Sequence, residues 1–132
     1  MSSHEVKQDR KYTKDHEWTK DAGDDVVIGV SAYAVDQLGD ITLVNIDIAE
    51  GEEVEVGKPF GTVESVKTLA DLFAPISGKL TRINTELEDS PELVNDDCYE
   101  QGWLVAIAPS DKAQLDGLMD AAAYSAFLDS ED

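Results

Sequence analysis

Apolar and polar residues alternate in short runs along most of the chain, the period of half-buried strands, and helical periodicity is confined to two places. Lys11 to Thr19 and Val26 to Val30 carry the β-branched and aromatic residues of two strands, joined by the polar turn Asp21 to Asp25. Ser31 is placed to cap a short helix through Leu38, with Ala34, Val35 and Leu38 on one face and Gly39 as its left-handed stop. From Ile41 to Ile48 the pattern predicts a strand with an irregularity near Val44 and Asn45, closed by a turn at Glu50 and Gly51, and Val54 and Val56 continue the alternation. Gly57-Lys58-Pro59 then turns the chain into two apolar segments, Phe60 to Val63 and Leu69 to Ile76, which flank the polar-centred stretch Glu64 to Thr68. That arrangement predicts a hairpin with Lys67 at its tip. Ser77-Gly78 leads into Lys79 to Ile83, an acid-rich loop spans Asn84 to Gln101, and Trp103 to Ala108 is the last strand. Beyond Pro109, Ser110 is placed to cap a helix with Leu115, Leu118, Met119 and Ala122 on one face. Gly117 and Asp120 divide that helix, and Tyr124, Phe127 and Leu128 anchor its second piece.

These elements make a mainly β fold, a flattened sandwich of two antiparallel sheets with a short helix near 31–38 and C-terminal helices. With 132 residues the chain has the length of one compact domain, expected over 11–132 behind a flexible lead-in at 1–10. Charge narrows the partners: 29 Asp and Glu against 10 Lys and Arg leave a formal charge of −19. Such a surface repels phosphate backbones and anionic headgroups, which excludes nucleic acid and membrane surfaces as partners and favours a monomer. The acids are spread among apolar residues rather than gathered in a tail, as on folded cytoplasmic proteins of salt-loving microbes, with an acidic protein of an ordinary cytoplasm as the alternative. Cys98 is alone, so no disulfide framework exists, and the polar opening residues carry no secretory signal. The cytoplasm is the expected compartment.

A lysine at a hairpin tip suits tethering, because the strands fix its base while the amine projects into water and can form an amide with a carboxylated cofactor. Taken by itself, a turn lysine is more often a solvated charge that blunts a sheet edge. The surrounding residues change that balance. Phe60-Gly61-Thr62-Val63-Glu64-Ser65-Val66-Lys67-Thr68, followed by Asp71-Leu72-Phe73-Ala74-Pro75-Ile76-Ser77-Gly78, resembles the lipoylation segment of glycine cleavage H proteins. Tyr12-Thr13-Lys14 with His16-Glu17-Trp18, Gly29-Val30-Ser31 with Tyr33-Ala34, Leu38-Gly39-Asp40, Asn84 with Leu87, Pro91-Glu92-Leu93-Val94-Asn95 and Gly102-Trp103-Leu104 resemble that family in the same order. An ordered set over nearly the whole chain is far more specific than a short lysine motif.

The resemblance implies a barrel-sandwich hybrid of the lipoyl/biotinyl kind and a non-catalytic carrier. It further implies lipoate amidated on Lys67, with Glu64, Ser65 and Val66 as the approach read by the lipoate-attaching enzyme. Glu17 and Asp71 match acidic positions lining the groove where the loaded arm rests, and two carboxylates there would hold a cationic amine. The implied partners are glycine decarboxylase, which loads an aminomethyl group, the aminomethyltransferase that receives it, and dihydrolipoyl dehydrogenase. The alternative is that Glu17 and Asp71 are solvated acids among many. Ile48-Ala49 stands where the family usually has Leu-Pro, Cys98 where a proline is common, and Asp15 where a small hydroxyl residue often sits.

Other readings remain open. A lipoyl or biotinyl domain of a larger system is usually shorter, and biotinyl ones flank the lysine with Met, whereas Val66 and Thr68 stand here. An H-like lipoate relay or scaffold outside glycine catabolism would use the same lysine, and an unmodified interaction module would leave it bare. His16 has only His4 as a companion histidine and no metal spacing, so no metal is expected. Gly29-Val30-Ser31-Ala32-Tyr33 lacks the last glycine of a nucleophile elbow, and the acids Glu88, Asp89, Glu92, Asp96 and Asp97 lack a calcium loop's alternation.

Overall fold

The computed structural model describes residues 6–131. Two antiparallel sheets face each other. The larger holds β1 (Lys11–Tyr12), β2 (Glu17–Asp21), β3 (Val26–Val30), β5 (Glu53–Val54), β8 (Gly78–Ile83) and β9 (Val105–Pro109), in the order β1-β2-β3-β9-β8-β5. The smaller holds β4 (Ile41–Ile46), β6 (Pro59–Ser65) and β7 (Leu69–Phe73), in the order β4-β6-β7. Ile28, Val30, Leu80 and Ile107 from the first meet Val44, Phe60, Val63 and Leu72 from the second in one buried cluster. Each such side chain removed from water contributes about 1.5–3 kcal/mol before the cost of ordering it. A second cluster, Tyr12, Trp18, Tyr99, Tyr124 and Leu128, lies under the C-terminal helix α4 (Ala121–Glu131). Trp18 fits there because its cross-strand partner is Gly29, where a Cβ would stand 2.5 Å from the indole.

The short helix forms as expected, as α1 (Ala32–Leu38), with the Ser31 hydroxyl accepting from the Ala34 N–H and Gly39 ending it at φ 80°. Several expectations change. The strand Lys11 to Thr19 is two strands, because Thr13–His16 reverses the chain and pairs Tyr12 with Trp18. His16 closes that turn at φ 68°, the one positive-φ non-glycine residue among those described, with its N–H donating to Thr13 O. The irregularity in β4 falls between Ile41 and Leu43 rather than at Val44 and Asn45, and pairing ends at Ile46.

After β9 a 3-10 helix (Lys112–Gly117) replaces the expected α-helix, and Asp111 rather than Ser110 caps it, its carboxylate accepting from the Ala113 N–H. Met119 leaves the helix to bridge Tyr12. Because α4 restarts at Ala121, the buried face is Ala121, Tyr124 and Leu128, and Ala122 is exposed. The loop Asn84 to Gln101 contains two short helices, α2 (Glu86–Asp89) and α3 (Leu93–Asp96). Of the expected lead-in, residues 1–5 lie outside the described residues, whereas Val6 packs on the second cluster and Arg10 is buried. The Arg10 guanidinium donates to Tyr99 O and lies 4.7 Å from the Trp18 ring, which ties residue 10 to the second cluster.

Candidate functional site

The β6–β7 hairpin turns through Val66, Lys67 and Thr68 with its last strand pair at Glu64 and Leu69. Ser65 organises the turn: its N–H donates to Thr68 O at 2.8 Å, and its hydroxyl oxygen accepts from the N–H groups of Lys67 and Thr68 at 3.2 and 3.1 Å. From outside the hairpin, Asp40 O accepts the Val66 N–H at 3.0 Å. Asp40 is itself bracketed by Asn95 on α3, whose amide accepts from the Ile41 N–H at 2.8 Å and donates to Gly39 O at 2.9 Å. The exposed tip is therefore held by hydrogen bonds to its backbone, from Ser65 and Asp40.

Lys67 is exposed, and its stem lies over Gly39. An added Cβ at Gly39 would stand 3.1 Å from Lys67 Cε, on a backbone already at φ 80°. The φ of 80° that stops α1 favours glycine there, and the missing Cβ leaves room for the lysine stem.

Next to that bed, between α1, β7 and the end of β2, is a groove of about 170 Å³ whose lining includes His16, Glu17, Ala34, Leu38, Asp71 and Leu72. Glu17 is 2% exposed, and its Oε2 accepts from the Phe73 N–H at 2.7 Å. Its Oε1 is buried with no hydrogen-bond partner among the described residues. Burial pushes this carboxyl up to about 8, opposed by the Phe73 N–H and raised further by the nearby Asp15 charge. Asp71, exposed on edge strand β7, and Asp15 are the other carboxylates of the groove. His16 is held in its strained backbone by Tyr124, whose hydroxyl lies 2.8 Å from His16 Nδ1 and 2.7 Å from Ser31 Oγ. That chain buries Ser31 as a cap and hydrogen-bond partner.

Lys67, Glu64, Ser65 and Val66 thus stand together at one hairpin, and Glu17 and Asp71 line one groove. Gly39 adjoins both, since Lys67 lies on it and the preceding Leu38 forms part of the groove wall. Two positions acquire structural roles that the sequence did not disclose. Asn95 acts through a 54-residue separation from Ile41, and only its place in the motif order pointed to it. Gly39 was legible as a helix stop but not as the bed for Lys67. A larger cleft of about 480 Å³ lies among Asp9, Lys11, Asp21, Lys112 and Asp116, where acids and lysines of both signs mix. It takes no part in the Lys67 hairpin. Among the described residues no three His, Cys, Asp or Glu side chains gather to hold a metal ion, the acids of 88–97 included, and no helix is long and apolar enough to cross a membrane.

Comparison with known proteins gives a consistent result. Residues 10–131 match the family model described as "Glycine cleavage H-protein". A glycine cleavage system H protein of Anaeromyxobacter sp. (strain K) is 45% identical over 128 residues, covering 97% of this chain and 99% of its own. One of Oceanobacillus iheyensis is 49% identical over 121 residues, covering 92% and 95%. The crystal structure of a glycine cleavage system H protein from Mycobacterium marinum superposes with a TM-score of 0.83 at 36% identity, covering 92% of this chain and 98% of that one.

Proposed function

Since the chain belongs to the glycine cleavage H-protein family, we propose that it is the lipoyl carrier of a glycine cleavage system, with lipoate amidated on Lys67. The observation that carries this reading is the pairing of an exposed tip lysine, its stem laid over Gly39, with an adjoining groove that holds a buried carboxylate oxygen lacking a partner. The groove suits a lipoyl arm bearing a cationic amine: its walls include Val30, Ala34, Leu38, Val63 and Leu72, and its acids are Asp15, Glu17 and Asp71. Lipoate supplies a disulfide that takes up the aminomethyl group and is afterwards restored by oxidation.

The chain's own residues bind, orient and shelter. Ser65 and the Asn95–Asp40 contact fix where the lysine leaves the surface. Glu17 is neutral at pH 7 while the groove is empty of cations, because burial penalises its charge. An ammonium group entering beside Oε1 favours the ionised form, so Glu17 releases its proton to solvent as the cation arrives and forms a charge-assisted contact. The apolar walls keep water from the held group and slow its hydrolysis.

In this reading the carrier accepts its cargo from glycine decarboxylase, delivers it to the aminomethyltransferase and is reoxidised by dihydrolipoyl dehydrogenase, working as a monomer in the cytoplasm with brief contacts to each. The test is exchange of labelled bicarbonate into glycine by glycine decarboxylase. Exchange should require the lipoylated chain and vanish with Lys67→Arg. Full lipoylation without any exchange would leave instead the role of a lipoate relay outside glycine catabolism.

A further inference from the structure

We propose that the outer face of the three-stranded sheet, where Leu43, Glu64 and Leu69 stand side by side in register, is the docking surface for the lipoate-attaching enzyme. That partner has apolar sockets for the two leucines and a basic side chain for Glu64. The proposal rests on the reading of Lys67 as the attachment site and adds what its modifying enzyme recognises.

Strand register places the three residues in one row: Leu43 pairs with Glu64, and Glu64 with Leu69. Of the four exposed large hydrophobic residues among those described, three surround the lysine: Leu43 at 44%, Val66 at 67% and Leu69 at 59%. The fourth, Val56, lies before the turn at Gly57. Single exposed apolar residues need no explanation, but a group of three around one reactive side chain does.

The bulge in β4 gives a cause. Ile41 pairs with Ser65 and Leu43 with Glu64, so Thr42 is an extra residue. Were Thr42 paired regularly with Glu64 instead of bulged, Leu43 would fall opposite Val63 and face the core, since a one-residue shift moves a side chain to the other face of a sheet. The insertion turns Leu43 outward and leaves Val44 to fill the interior opposite Val63. Thr42 pins it, its hydroxyl donating to Glu64 O at 3.2 Å.

Charge specifies the partner. The outward positions Leu43, Asn45, Thr62, Glu64 and Leu69 include one acid and no lysine or arginine. Glu64 has no ion pair among the described residues, so a basic group on the partner would meet an unpaired carboxylate. Strands are spaced about 4.8 Å apart, so Leu43 and Leu69 lie about 10 Å apart across the row.

The experiment is steady-state lipoylation of the purified unmodified chain by a lipoate–protein ligase with ATP and lipoate. It compares the wild type with Leu43→Ser/Leu69→Ser, Leu43→Met/Leu69→Met and Val56→Ser, each checked for an unchanged thermal transition. The serine pair should raise KM for the carrier about tenfold with kcat within about twofold, the loss expected when buried leucine surface is removed from a contact. The methionine pair should restore the wild-type KM, and Val56→Ser should match the wild type. Wild-type KM in the serine pair overturns the docking face, as does a defect that appears only in loading by glycine decarboxylase. If the wild type takes no lipoate at all, the Lys67 reading fails first, a result distinct from normal lipoylation with an unchanged KM.

Discussion

At the Lys67 tip the side chains stand in water and order resides in the backbone, which Ser65, Asp40 and Asn95 hold by hydrogen bonds. At the Glu17 corner the reverse holds: the side chain is buried, one carboxylate oxygen is unpartnered, and the adjoining His16 backbone is strained at φ 68°. On the proposed function, the tip is what other proteins find, which fits exposed chemistry on a fixed backbone. On the same reading the corner holds a charged group away from water, which fits a buried carboxylate oxygen left without a partner. Gly39 adjoins both, carrying the lysine stem and ending the helix that walls the groove.

The comparison breaks most visibly through Glu17. Its folded-state value of about 8 lies above the ordinary 4.5, so the native state binds this proton more tightly than the unfolded chain does. The associated stability is complete below the ordinary value and is lost as pH rises through about 8. At pH 9, Glu17→Gln should therefore be more stable than the wild type by on the order of 3 kcal/mol in urea unfolding, and nearly equal at pH 5. A wild type whose stability does not fall between those pH values would remove the buried-acid account.

At the tip the corresponding change is Asn95→Ala, which leaves the Ile41 N–H and Gly39 C=O without their partner. It should cost about 2 kcal/mol in the same assay and slow lipoylation of Lys67. Gly39→Ala should cost about 1–2 kcal/mol, from the φ penalty and the contact with Lys67 Cε, and should shift the lysine without touching the groove acids. The smallest effect concerns the surface as a whole. With a net charge of −19, the thermal transition should rise by a few degrees between dilute buffer and molar salt, and equal transitions in both would argue against salt adaptation.

Much of this was legible because local rules and tertiary needs agree where they were read. Ser31 caps its helix, Gly39 ends it, and the apolar runs on either side of Glu64 to Thr68 form the hairpin they suggest. The misplacements share one origin: distant contacts decided them. Thr13–His16 turns because His16 meets Tyr124 more than a hundred residues away, and a histidine in left-handed backbone leaves no periodic signal. The β4 bulge lies at Thr42 because Glu64 of the neighbouring strand receives it there. Met119 bridges Tyr12, which shortens the first C-terminal helix to a 3-10 turn and shifts the face of α4 by one residue. At the site, Lys67, Glu17 and Asp71 could be named from motif order, but the burial that makes Glu17 a proton-holding group could not. That depends on β7 laying the Phe73 N–H against it.

The most direct measurement is intact and peptide mass spectrometry of the chain produced in a host that makes lipoate, wild type beside Lys67→Arg. A lipoyl mass increment confined to the peptide containing Lys67, and absent from the variant, is the predicted result. An unmodified wild type from such cells, or lipoate on a different lysine, would contradict the carrier assignment at its root.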